Sequence, residues 1–387
     1  MMHKIMFSAG EVSGDMHGAN LAAALKKMEP GIKMFGLGGA MMRREGVDLV
    51  ADMAQYSVMG FYEVLLNVGR LLKLRSKMIR FMKTEKPDIL VLIDYPDFNW
   101  RLAPAARKLN IPVFSYIPPS AWAWRKGRAK NVAKIANKIA AIFPFETDAY
   151  EAAGADIQFV GNPLLDTVKA AMNSSEAYEY FSLDSKKIHI LLLPGSRKQE
   201  IEMILPVMLQ AACLFKEKHS ETEFHIAVAQ GIDEEHLRDM AGKYGLILKF
   251  HRDRLYDLMG NCDVAFATSG TVVLEAAMMG LPSVVLYRMS KLTYCIAKLF
   301  VDVEFFSLPN ILAQKKIIPE LLQDNVTPEN IVIAADSIMQ NGREKNEAVL
   351  KSIKRKLGIP GVADRTAGLI IETADKFSSA GSVCQNE

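Results

Sequence analysis

Short apolar runs alternate with helix-like segments along the whole chain. Eight runs stand out, at residues 3–8, 89–93, 113–117, 139–143, 188–193, 224–229, 264–267 and 283–286. They are rich in Ile, Val, Leu and Phe and show little polar alternation, which is the pattern of strands covered on both faces of a parallel sheet. Between them lie segments such as 18–27, 102–108 and 202–216, whose apolar spacing predicts helices. Strand and helix in alternation predict an α/β fold of the doubly wound, Rossmann-like kind.

The pattern starts over near residue 186. Residues 188–193 read as a fresh first strand, followed by Pro194-Gly195-Ser196-Arg197, whereas 173–187 is polar and irregular enough to serve as a linker. The expectation is two domains, 1–168 and 186–355, each beginning strand, glycine-containing turn, helix. Ligands of such sheets bind at the carboxyl ends of the strands, so two facing domains would enclose a cleft. A last helical segment, 360–378, would pack back on the first domain or on a second copy of the chain in a homodimer.

The 387 residues suit two cores better than one, and half of them are hydrophobic. Forty-seven Lys and Arg against 44 Asp and Glu leave a net charge of +3, which argues against a bulk nucleic-acid binder. Cys213, Cys262, Cys295 and Cys384 form no C-x-x-C pair and read as reduced thiols of a cytoplasmic protein. The apolar start is too short for a signal peptide. The one stretch that hydropathy alone would mark as a membrane span, 264–287, carries Glu275 and is broken by Gly270, Gly280 and Pro282, so it reads as strand, turn, helix and strand.

Two strand-to-helix turns have the chemistry of a diphosphate site. In the first, Gly195 lets the backbone approach an anion, Ser196 offers a hydroxyl and Arg197 a planar fork that matches phosphate oxygens. In the second, Ser269, Gly270 and Thr271 open a helix whose free N–H groups can cradle phosphate. Glu275 follows about one turn in, placed to accept hydrogen bonds from ribose hydroxyls. The competing readings are an ordinary turn with a surface arginine, and a simple helix cap with a solvated glutamate. No G-x-x-x-x-G-K-[ST] loop and no D-x-D occurs, and Gly36-Leu37-Gly38-Gly39 is only part of a dinucleotide fingerprint. Neither a metal nor a cofactor is expected at this site; arginine and helix N-termini would neutralise the leaving group.

The first half supplies small and acidic turns. Ser8-Ala9-Gly10-Glu11-Val12-Ser13-Gly14-Asp15 follows the first strand, and Asp94-Tyr95-Pro96-Asp97-Phe98-Asn99 follows the run at 89–93. Such turns can approach a sugar and accept hydrogen bonds from its hydroxyls. Asp97 is the candidate catalytic base, with Glu11 or Asp15 as the fallback; the alternative for Asp97 is a helix N-cap.

Together these segments resemble the lipid-A-disaccharide synthases. The resemblance rests on the two turns just quoted, on Val160-Gly161-Asn162-Pro163-Leu164-Leu165-Asp166, on Leu193-Pro194-Gly195-Ser196-Arg197, on Ser269-Gly270-Thr271 through Glu275, on Tyr287-Arg288-Met289, and on Ser307-Leu308-Pro309-Asn310-Ile311-Leu312. The motifs come in family order and span most of residues 5–325. Asn162 departs from the family pattern, which has histidine before the proline. The resemblance implies the two-domain GT-B fold and an inverting transfer from UDP-2,3-diacylglucosamine to 2,3-diacylglucosamine 1-phosphate, releasing UDP. It implicates Asp97, Arg197 and Asn310 in activity. It places Ser269, Gly270, Thr271 and Glu275 around UDP, with Arg288 beside them.

An acylated acceptor requires a lipid-facing surface. Across residues 61–86, Val64, Leu65, Val68, Leu71, Leu72, Met78, Ile79 and Met82 recur at helical spacing beside Arg70, Lys73, Arg75, Lys77, Arg80 and Lys83. A basic amphipathic helix is a membrane-surface signature, and Trp122 and Trp124 beside Arg125 and Lys126 suit the headgroup zone. The expected location is the cytoplasmic face of the inner membrane. The competing reading is a crossover helix that buries its stripe against the sheet. Two rival functions share the nucleotide end: a UDP-N-acetylglucosamine 2-epimerase and a non-catalytic nucleotide-sugar binding module.

Overall fold

The computed structural model describes residues 2–56, 61–119, 127–289, 294 and 304–383; the side chains of 61–68, 127, 128, 343 and 380–383 fall outside that description. The chain divides into two units, residues Met1–Pro163 with Leu357–Glu387, and residues Leu164–Lys356.

The first unit is built on a seven-stranded parallel sheet. Its strands are β1 (Lys4–Ala9), β2 (Lys33–Gly38), β3 (Asp48–Asp52), β4 (Ile89–Ile93), β5 (Val113–Tyr116), β6 (Lys138–Ala141) and β7 (Ile157–Phe159), in the spatial order β3-β2-β1-β4-β5-β6-β7. The chain winds one way from β1 to β3 and the other way from β4 to β7, so the winding reverses between β1 and β4. Ile5, Phe7, Ile89, Val91 and Ile93 are fully buried, which explains their unbroken apolar sequence. Gly36, at φ +149°, lets β2 lie against β1: a Cβ there would come 2.8 Å from the Phe7 nitrogen. The glycines at 36–39 thus serve strand packing and a helix start.

The helix Phe61–Glu85 covers one face, burying Leu74, Met78 and Met82 at i, i+4 and i+8. Each such side chain contributes about 1.5–3 kcal/mol of burial. The C-terminal helix Val362–Val383 packs on the helix Val12–Met28 of the same unit, through Val362, Ala367, Ile370 and Ala374. Where the chain returns to this unit it is tied to the segment that leaves it. Asn162 N donates to Leu357 O at 2.9 Å, and Arg365 donates twice to Val160 O, at 3.0 and 2.9 Å.

The second unit carries a six-stranded parallel sheet of β8 (Ile188–Leu193), β9 (Thr222–Ala227), β10 (Leu248–His251), β11 (Val264–Thr268), β12 (Ser283–Tyr287) and β13 (Glu320–Leu322), ordered β10-β9-β8-β11-β12-β13. Here the winding reverses between β8 and β11. Residues 173–187, expected as a linker, instead contain the helix Ser174–Phe181 and belong to this unit. Asn173 and Glu176 form its capping box, Ala177 and Phe181 are buried, and the Asp257 carboxylate accepts from the Ala171 and Met172 nitrogens, both at 2.7 Å. The polar composition of that segment reflects capping, not absence of structure.

Candidate active site

Both reversal points place motif residues side by side. In the first sheet Ala9 lies opposite Ile93 in register, so the turns after β1 and β4 emerge together. This crevice is where open α/β sheets bind ligands. Asp94 and Tyr95 take left-handed backbone, at φ +47° and +49°, and the helix Pro96–Lys108 then begins with Tyr95 as N-cap and no side-chain cap. Asp97 is therefore not the N-cap. It is exposed in the first turn, with no hydrogen bond from its own helix end.

Tyr95 links the two turns. Its ring lies on Gly10, where a Cβ would come 2.6 Å from Tyr95 Cγ, and it stacks on Phe98 at 5.5 Å. Burial, and then the Glu11 and Asp97 carboxylates, hold its phenol above the ordinary range, so both acids stand near one hydroxyl. Burial likewise raises Asp94. Beneath them Asn99, which is buried, accepts from Ser8 Oγ at 2.6 Å and donates to Asp94 O at 2.6 Å, bracing β1 against the β4 turn. Ser8, Tyr95 and Asn99 stood within the quoted motifs but had no role assigned; nothing in their spacing says that they bond to each other.

Asp15, the fallback base, is engaged by the main chain. Its carboxylate is buried and accepts from the nitrogens of Gly39 at 2.7 Å, Met41 at 3.0 Å and Met42 at 3.1 Å. It caps the start of the helix Ala40–Arg44, and both oxygens are taken. An acid so engaged anchors the helix start.

In the second sheet Leu193 lies opposite Ala267, so the turns after β8 and β11 are neighbours. Gly195 sits at φ +111°, a conformation that favours glycine, and a Cβ there would be 3.8 Å from the Thr268 Cβ. Two helices start at this edge with no side-chain cap, Lys198–Lys218 after Arg197 and Thr271–Met278 after Gly270. Helix starts at the carboxyl edge of a parallel sheet offer free N–H groups to an anion. Arg197 is 75% exposed and donates to Glu200 Oε1 at 2.7 Å. An exposed pair of this kind is worth about 0–1 kcal/mol, so a phosphate can draw the guanidinium away. Ser269 is half-buried and Thr271 exposed, while Thr268 Oγ1 is buried with no protein partner. Glu275 is half-buried; burial raises it, and the Tyr256 hydroxyl donates to it and works the other way. Tyr256 is a further residue that sequence patterning did not single out.

Two expected ligand contacts have other partners. Asn310 is fully buried: its Oδ1 accepts from Ile317 N at 2.8 Å and Ile318 N at 3.1 Å, and its Nδ2 donates to Ile318 O at 3.0 Å. These bonds fold the loop that leads into β13. Arg288 donates to the carbonyls of Gln323 and Val326 and fastens the end of β12 to the following turn.

Of the lipid-contact residues, Trp122 and Trp124 lie outside the described residues, as do the side chains of Val64, Leu65 and Val68. Leu72, 51% exposed, and Lys73 face outward, whereas Arg75 Nε donates to Arg101 O at 2.7 Å. The stripe from Leu74 to Met82 is core, as the crossover reading has it. Among the described residues no helix is long and apolar enough to cross a membrane.

Comparison with known proteins shows the family and the fold. The family model described as lipid-A-disaccharide synthetase matches residues 5–372. The lipid-A-disaccharide synthases of Geobacter metallireducens and Syntrophus aciditrophicus are 38% and 40% identical over 375 residues, covering 96% of this chain and 98% of each relative. Among solved structures, the UDP-GlcNAc 2-epimerase of Neisseria meningitidis bound to UDP-GlcNAc superposes with a TM-score of 0.60 at 12% identity, covering 96% of this chain and all of that one. CalG4, the calicheamicin glycosyltransferase, gives 0.63 at 13%, covering 97% and 99%. At such identities the structures speak for the fold alone, the two-sheet GT-B arrangement, and the epimerase reading is not favoured. Sequence relatedness over nearly the full length decides the rest: the chain belongs to the lipid-A-disaccharide synthase family of glycosyltransferases.

Proposed function

We propose that the enzyme joins UDP-2,3-diacylglucosamine to 2,3-diacylglucosamine 1-phosphate with inversion, giving the tetra-acylated disaccharide 1-phosphate and UDP. The first unit takes the acceptor and the second the UDP-sugar. The observation that carries this reading is the division of chemistry between the two reversal points. One gathers exposed acids, Asp97 and Glu11, and the other gathers Arg197 with two uncapped helix starts.

Inversion requires a single displacement. The acceptor hydroxyl gives its proton to a base as it attacks the anomeric carbon, and UDP leaves from the opposite face. Asp97 is that base, with Glu11 beside the same phenol as the alternative. A positioned general base contributes about 10²–10⁴-fold. Arg197 leaves Glu200 for the departing diphosphate, the Ser269 hydroxyl and the N–H groups at Gly270 and Thr271 hold its oxygens, Gly195 and Ser196 shape the turn beside it, and Glu275 accepts from the ribose. Asp97→Asn should retain UDP affinity and lose turnover by about 10²-fold or more; normal turnover would remove Asp97 from the role.

Membrane contact at the cytoplasmic surface is part of the same proposal. It is supported by Leu72 and Lys73 facing outward on a basic helix. Exchange of Lys73 and Lys77 for Glu should weaken binding to anionic vesicles; unchanged binding would count against it.

A further inference from the structure

Away from the motif turns, one face of the second sheet carries an unusual polar cluster. His189 on β8, Glu223 and His225 on β9, and Lys249 and His251 on β10 share that face by strand register. His189 and His225 are 1% and 0% exposed. The cluster begins four residues before Leu193, about 13 Å along the strand from the carboxyl edge. Tyr178 and Phe181 of the helix Ser174–Phe181 stand edge-on to His189 and His251.

The hydrogen bonds define the tautomers. Asp184 O can only accept, so His189 Nε2, 3.0 Å away, is the donor, which leaves Nδ1 as the acceptor. His225 Nε2 donates to His189 Nδ1 at 3.1 Å, and His251 Nε2 donates to His225 Nδ1 at 3.1 Å. The Glu223 carboxylate is 3.9 Å from His189 Nδ1 and accepts from Lys187 at 2.9 Å and Lys249 at 2.7 Å. One ligand atom each from His189, Glu223 and His225 falls within 4.8 Å of the others.

We propose that His189 Nδ1, Glu223 Oε2 and His225 Nε2 form a zinc site, distinct from the transfer chemistry. Zinc–nitrogen bonds of about 2.0–2.1 Å around a tetrahedron put nitrogens about 3.3 Å apart, a few tenths from the distance present. Imidazole pairs with a carboxylate select zinc over magnesium or calcium. Each ligand histidine already has its outer nitrogen held, His189 by the Asp184 carbonyl and His225 by His251, and such outer contacts fix metal-binding imidazoles. Entry of Zn²⁺ needs no net proton release from the rings: the His225 hydrogen moves from Nε2 to Nδ1, and that of His251 from Nε2 to Nδ1. Lys249 leaves Oε2, Lys187 keeps Oε1, and water takes the fourth position. The bound ion would staple β8 to β9.

The test uses the untagged full chain, ZnCl₂ and a competing chromophoric chelator. Wild type should take up one Zn²⁺ per chain and melt at higher temperature when it does. Co²⁺ in its place should give the intense visible bands of a tetrahedral site. His225→Gln should lose stoichiometric uptake, and His251→Phe should weaken it about 10–100-fold, while both keep wild-type UDP affinity as proof of folding. No stoichiometric uptake by wild type would overturn the proposal and leave the cluster a closed hydrogen-bond chain. Equal uptake by His225→Gln with UDP affinity intact would overturn it too.

Discussion

The Tyr95 ring rests on the Gly10 backbone, so the turn after β1 and the turn after β4 are a single packed unit. A methyl group at position 10 would meet the ring itself, 2.6 Å from Cγ. Gly10→Ala should therefore displace Tyr95 and, with it, the spacing of Glu11 and Asp97. The expected cost is about 1–3 kcal/mol in urea unfolding, with a loss of turnover larger than that stability change explains. Full activity in a destabilised variant would separate the contact from the chemistry.

Asn310 and Arg197 should behave in opposite ways. Asn310→Ala leaves the Ile317 and Ile318 amides without their acceptor, at about 1–3 kcal/mol for each buried group left unpaired. It should lower the unfolding midpoint, and any loss of activity should follow from that. Arg197 is exposed and, among the described residues, paired only with Glu200, so Arg197→Ala should leave stability unchanged. It should weaken UDP about ten- to a hundredfold, as expected for a lost charge-assisted hydrogen bond. Calorimetric UDP titration beside urea denaturation of both variants distinguishes the two roles.

Glu146 gives a pH signature. Its buried carboxyl is pushed up to about 8 by burial, against the hydrogen bonds it accepts from Ile142 and Phe143 nitrogens. The folded state thus binds a proton that the unfolded state has released. The stability this contributes is complete below about pH 4.5 and is lost as pH rises to about 8, at about 1.4 kcal/mol per unit. Glu146→Gln should flatten that slope between pH 5 and 8. A slope identical to wild type would mean the carboxyl is ionised in the fold.

Eight of the strands were legible because they lie inside their sheets and bury both faces. Four that the apolar pattern does not reveal, β3, β7, β10 and β13, are the sheet edges. There the burial demand is one-sided, so Asp48, Gln158, Lys249 and Glu320 interrupt the apolar runs. β2 was hidden by Gly36 and Gly38. The motif turns were legible because they abut strong strands. Their division of labour was not: Asp15 and Asn310 look like ligand contacts in sequence, yet their partners are backbone amides. For Asn310 these lie seven and eight residues onward, and for Asp15 they lie 24 to 27 residues onward. Composition cannot show whether a polar side chain turns toward a ligand or toward its own main chain.

Turnover with UDP-2,3-diacylglucosamine, measured with and without 2,3-diacylglucosamine 1-phosphate, tests the central claim most directly. The account predicts UDP and tetra-acylated disaccharide 1-phosphate in equal amounts, both dependent on the acceptor. An epimerised UDP-sugar without disaccharide, or UDP release indifferent to the acceptor, would contradict it.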